Sequence, residues 1–245
     1  MDAAYGVATC LLKRKSYKDA IRAYEKVLEL DPYHHKAYYW SGYANISQEN
    51  YAAAVDMLTQ ALLLDPDNEE TYFYLGQAYL KTGNQTRALE ALNRTVTVNP
   101  ENGHAHYLLG SIYENILEIE KAITAYVQAR KFSPEIEDVH YRLGMLLYRT
   151  NNLKTAMEPL RDFIIIQPDS LNVLRILGYI FLDQKRYPEA IDTYERLLSE
   201  TPESLDYYLA IGESHWNLEE FEKARIAFEN VLQIDDENTD VMYKL

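Results

Sequence analysis

The sequence predicts an all-α chain of tandem helix pairs, on three observations. Pro32, Pro66, Pro100, Pro134, Pro168 and Pro202 are spaced by 34 residues. Gly42, Gly76, Gly110, Gly144, Gly178 and Gly212 keep the same spacing. So do Ala20, Ala54, Ala88, Ala122, Ala156, Ala190 and Ala224. Three residue types sharing one period along the whole chain mark a repeat architecture.

With Met1 at place 1, a single domain of seven repeats spans 1–238, divided 1–34, 35–68, 69–102, 103–136, 137–170, 171–204 and 205–238. Each repeat opens with a first helix, which carries Gly at place 8 in the second to seventh repeats. A mid-helix Gly costs roughly 1 kcal/mol against Ala, so its recurrence predicts a close helix–helix approach, with the Ala of place 20 opposite. Short connectors such as KTGNQ (81–85) and RTNNL (149–153) follow. A second helix, as in AIRAYEKVLELD, runs up to the proline, where the preceding residue is pushed out of the α region. Pro159 falls inside one such helix, where it should cost about 3 kcal/mol and kink it, whereas Pro188 falls near a helix start and is tolerated.

The pattern resembles the tetratricopeptide repeat family, W-x2-L-G-x2-Y, then A-x3-F, then P. Tyr72-x2-Leu75-Gly76-x2-Tyr79 carries the first part; Ala122-x3-Tyr126, Ala190-x3-Tyr194 and Ala224-x3-Phe228 carry the second. The resemblance covers essentially the whole chain and implies a right-handed superhelical solenoid that binds proteins or peptides in its concave face. Departures occur at Ala4 and Ala8 in the first repeat, at Asp236 in the proline place, and at Asn45 and His215 in the last aromatic place. Residues 239–245, TDVMYKL, begin an eighth repeat or capping helix and stop within it. Solenoids need polar terminal caps, so the expectation is a segment of a longer protein.

Places 4, 7, 8 and 11 of the first helix cluster on one side at about 100° per residue, which predicts the core. The opposite side, places 2, 5, 9 and 12, should then be polar, and it is not. Place 5 reads Tyr5, Tyr39, Phe73, Tyr107 and Tyr141. Tyr43, Tyr148, Tyr179 and Trp216 add rings, and Tyr74 flanks the same side. The resemblance assigns this side to the groove; half-exposed rings there would exceed the few hundred Å² of apolar patch that a monomer usually shows. The competing reading is that the rings only pack between repeats. Arg142, Arg149, Arg175 and Asn172 lie on the groove side and could hold a carboxylate, unless Asp138, Glu114 and Asp183 already neutralise the arginines.

The family's clamp for a C-terminal carboxylate uses Lys at place 5 and Asn at place 9. Tyr39 and Tyr43 stand there in the second repeat, so that role is not expected. His104-x-His106 diverges on a helix, and His106 and His140 at place 4 are expected to pack in the core. Cys10 aligns with Ala44, Ala78 and Ile112 and reads as a small core residue. No Gly-rich phosphate loop, HExxH or GxSxG is present, so neither catalysis nor a cofactor or metal is expected.

The 24 Lys+Arg against 38 Asp+Glu give a formal charge of −14, which argues against nucleic acid or anionic membrane as partner. One cysteine permits no intrachain disulfide and fits a cytoplasmic setting; there is no membrane-spanning apolar run and no signal-peptide pattern at the N-terminus. The sequence therefore points to a non-catalytic interaction module binding a protein or peptide. A self-associating scaffold, or the substrate-recruiting region of a larger enzyme, are the alternatives.

Overall fold

The structure is a computed structural model and describes residues 2–242. Among these residues all regular structure is helical. The first helices are α1 (Asp2–Lys13), α3 (His35–Ser47), α5 (Glu69–Lys81), α7 (Gly103–Asn115), α9 (Glu137–Arg149), α11 (Leu171–Asp183) and α13 (Leu205–Asn217). Their partners are α2 (Tyr17–Leu30), α4 (Tyr51–Leu64), α6 (Gln85–Val98), α8 (Ile119–Phe132), α10 (Leu153–Ile166), α12 (Tyr187–Glu200) and α14 (Phe221–Ile234). A short α15 (Thr239–Met242) begins where the eighth repeat was expected; residues 243–245 lie outside the described residues. The helices form two compact units, Met1–Glu135 and Ile136–Leu245.

The connector between paired helices is one turn used seven times. Place 15 is left-handed in every repeat, at Lys15, Glu49, Gly83, Leu117, Asn151, Lys185 and Glu219. The amide of place 16 then bonds the carbonyl of place 11, as in Asn84 to Tyr79 at 2.8 Å and Glu118 to Tyr113 at 2.9 Å, a Schellman closure. Only Gly83 adopts that backbone without a Cβ penalty.

The second helices end as the prolines dictate, with a residue outside the helical region before each Pro, such as the extended Asp31 at φ −142°. Asp235 is extended as well, although Asp236 replaces the proline; its amide still bonds the Val231 carbonyl at 2.9 Å. Asn68 and Asn102 then cap α5 and α7, each accepting the amide three residues on at 2.9 Å. Pro188 sits in the first turn of α12 as expected. Pro159 is buried, and α10 runs as one helix from Leu153 to Ile166 across it.

The glycine column does mark the close approach, but the residue opposite is at place 24. A Cβ on Gly42 or Gly76 would stand 2.6 or 2.7 Å from the Cγ of Leu58 or Leu92. One on Gly110 would lie 2.6 Å from the Tyr126 ring, and one on Gly212 2.5 Å from Phe228. The alanines of place 20 are fully buried one turn away.

The core is wider than the expected stripe. Places 3 and 10 pack against the preceding pair, so Ala37 and Ala44 share a cluster with Val27 of α2. This corrects the reading of Cys10, which is exposed: it occupies place 10 of α1, where no helix among the described residues covers it. Place 4 is only half-buried at Tyr38, Tyr72 and His106, whereas His140 is buried with Nδ1 3.5 Å from Asp162.

Candidate functional site: the ring-lined face

In the first unit, the place-5 rings lie over the second helix of their own repeat. Tyr5 meets Tyr24 with centroids 6.0 Å apart and stacks on His34 at 4.8 Å. Tyr107 meets Tyr126 at 6.0 Å, and the Tyr126 hydroxyl donates to Glu114 at 2.8 Å, so Glu114 is engaged within its own repeat. Tyr39 goes further and is buried. Its hydroxyl donates to Glu70, and Trp40 and Tyr74 close over it at 4.6 and 6.0 Å. Burial, then the Glu70 carboxylate, push its hydroxyl well above the usual tyrosine range.

Tyr39 is thus a foundation for half-buried neighbours. Tyr43 meets Tyr74 edge-to-face at 5.1 Å across the repeat boundary, and Phe73 meets Tyr74 at 5.4 Å. Trp40 belongs to the same group, with Tyr43 at 5.9 Å. The sequence reading left Trp40 out, although it holds the same place as Tyr74; that shared place was the available signal.

In the second unit the face is more open and more polar. Tyr141 packs on Phe163 at 5.1 Å. Arg142 is paired with Asp138 one turn earlier on α9, so this arginine is neutralised as the competing reading anticipated. Arg149 is exposed, and so are Asn172, Arg175 and Tyr179, which form one stripe of α11 at places 2, 5 and 9. Among the described residues neither Arg149 nor Arg175 makes an ion pair. Tyr148 and Tyr179 meet edge-to-face at 6.2 Å and bring α9 and α11 together on this face. Trp216 lies farther along, 48% exposed against Phe221.

Among the described residues no cluster of three or more metal-ligating side chains occurs, and no helix is long and apolar enough to cross a membrane.

An all-α array of 34-residue helix pairs with a ring-lined face defines a helical repeat protein. Family models described as tetratricopeptide repeat match residues 1–34, 45–112, 103–135, 138–170, 160–204 and 177–239. The chain belongs to the tetratricopeptide repeat family. It is similar to YrrB, whose structure is described as a TPR protein with an unusual peptide-binding site, at 28% identity over 70% of this chain and 89% of that one, TM-score 0.60. It is also similar to a double mutant of MamA RS-1, at 26% identity over 68% and 94% of the chains, TM-score 0.62. The C-terminal part of a TPR repeat-containing protein from Cytophaga hutchinsonii shares the fold over 98% and 99% of the chains at 17% identity, TM-score 0.65. No curated protein matches the chain.

Proposed function

We propose that the chain, read as one domain of seven repeats over 1–238, is a non-catalytic interaction module that binds an extended protein segment on the ring-lined face of its second unit. The observation that carries this is the α11 stripe, where Asn172, Arg175 and Tyr179 stand exposed together beside Tyr148. In an acidic chain, an arginine left without a carboxylate next to an open ring is disposed to take a carboxylate and an apolar group from a partner. The first unit by itself offers an apolar ring group, Tyr43, Phe73 and Tyr74, with Tyr39 supporting them from below. The likeness to a peptide-binding relative supports the same reading. The lone exposed cysteine fits action in the reducing cytoplasm.

The test is affinity capture from cell extract with wild type and with Arg175→Ala/Tyr179→Ala, both checked for fold by circular dichroism. Partners held by wild type and lost by the variant support the face. Identical partner sets reject it.

A further inference from the structure

The other side of the third repeat carries a cleft. There α5 and α6 enclose about 650 Å³, against about 430 Å³ for its counterpart in the fourth repeat and about 400 Å³ in the sixth. Its floor is Tyr72, Leu75, Tyr79 and Ala91, and its rim is Arg87, Glu90 and Arg94 on α6. The ring-lined face presents places 2, 5 and 9, whereas this cleft presents places 4, 7 and 11, so the two are separate surfaces.

Two observations point to an anionic occupant. The third is the one repeat with a cation at both place 19 and place 26; elsewhere these places read Asp19/Lys26, Ala53/Gln60, Lys121/Gln128, Thr155/Asp162, Glu189/Arg196 and Lys223/Asn230. Among the described residues neither Arg87 nor Arg94 makes an ion pair, not even with Glu90, three residues from one and four from the other. Arg87 instead leans over the Tyr79 ring, 5.7 Å from its centroid, at the edge of the cleft. In a chain of formal charge −14, these two arginines without an ion pair bracket an apolar floor.

We propose that this cleft binds a partner's peptide segment in which an apolar side chain is flanked by acidic residues. The apolar group covers Tyr72, Leu75 and Ala91, and the carboxylates take Arg87 and Arg94. Residues seven apart on a helix stand on one face about 10 Å apart. An extended peptide covers that in about three residues at roughly 3.3 Å each, so the acids sit about three positions apart.

The test is selection from a phage-displayed random peptide library on immobilised wild type, with the enriched pool then measured on Arg87→Gln/Arg94→Gln and on Tyr179→Ala. Both arginines are exposed and unpaired, so the double variant should keep its fold, which circular dichroism checks. The expected result is enrichment of acid–apolar–acid peptides that bind the double variant roughly tenfold more weakly and bind Tyr179→Ala unchanged. No enrichment, or peptides that bind the double variant as well as wild type, overturns the proposal. Peptides lost only from Tyr179→Ala place recognition on the other face and also overturn it.

Discussion

Tyr39 of α3 donates its hydroxyl to Oε2 of Glu70 on α5 at 2.7 Å, joining place 5 of one repeat to place 2 of the next. The bond is charge-assisted and its donor is buried, so it ties the two repeats together under the ring group. Tyr39→Phe should lower the stability of the first unit by about 1–2 kcal/mol. Urea unfolding followed by circular dichroism checks this; an unchanged midpoint would contradict it.

Buried tyrosines also set a response to high pH. Burial raises the hydroxyls of Tyr24, Tyr39, Tyr74 and Tyr194, the last to about 12. An unfolded tyrosine ionises near pH 10, so above that pH the unfolded state releases protons that the folded state retains. The stability from these groups is therefore whole below about pH 10 and is lost as pH rises through the folded values. Tyrosinate absorbance should develop at higher pH in the native chain than in denaturant, and urea midpoints should fall as pH rises from about 10 towards 12. Superimposable titrations of the native and denatured chain would refute this.

The glycine column gives a packing test. A methyl on Gly110 meets the Tyr126 ring at 2.6 Å, and Tyr126 is fully buried and held by Glu114. Gly110→Ala should destabilise by about 1–3 kcal/mol despite the better helix propensity of Ala. In the double variant with Tyr126→Leu, the added cost of the methyl should shrink, as a double-mutant cycle would measure.

The left-handed connectors predict the opposite sign. Leu117 has φ 62° and is 77% exposed, so its side chain adds strain and little packing. Leu117→Gly should raise stability by about 0.5–1 kcal/mol, seen as a higher thermal midpoint.

The helix pairs and their order were legible because proline, glycine and alanine each hold a fixed mechanical role in the repeat. The left-handed turn at place 15 was hidden: six of its seven occupants are not glycine, and the geometry comes from the closing hydrogen bonds. Cys10 was misread because column alignment supplies each helix with a preceding neighbour, which α1 does not have among the described residues. The ring-lined face was only partly legible. A helical wheel placed Tyr39 outward, but Trp40 and Tyr74 cover it, and contacts across a repeat boundary do not appear on a single-helix projection. Arg142 and Arg175 looked equivalent until Asp138 proved to hold the first and not the second.

The central claim is that a partner lies along the ring-lined face, and site-specific photo-crosslinking tests it most directly. A photoreactive phenylalanine replaces Tyr179 in one variant and Tyr33, an exposed connector residue, in another. Each is irradiated in extract, and crosslinked protein is identified by mass. The account predicts partner adducts from position 179 that disappear with Arg175→Ala, and none from position 33. Adducts from both positions alike, or from position 33 alone, would contradict it.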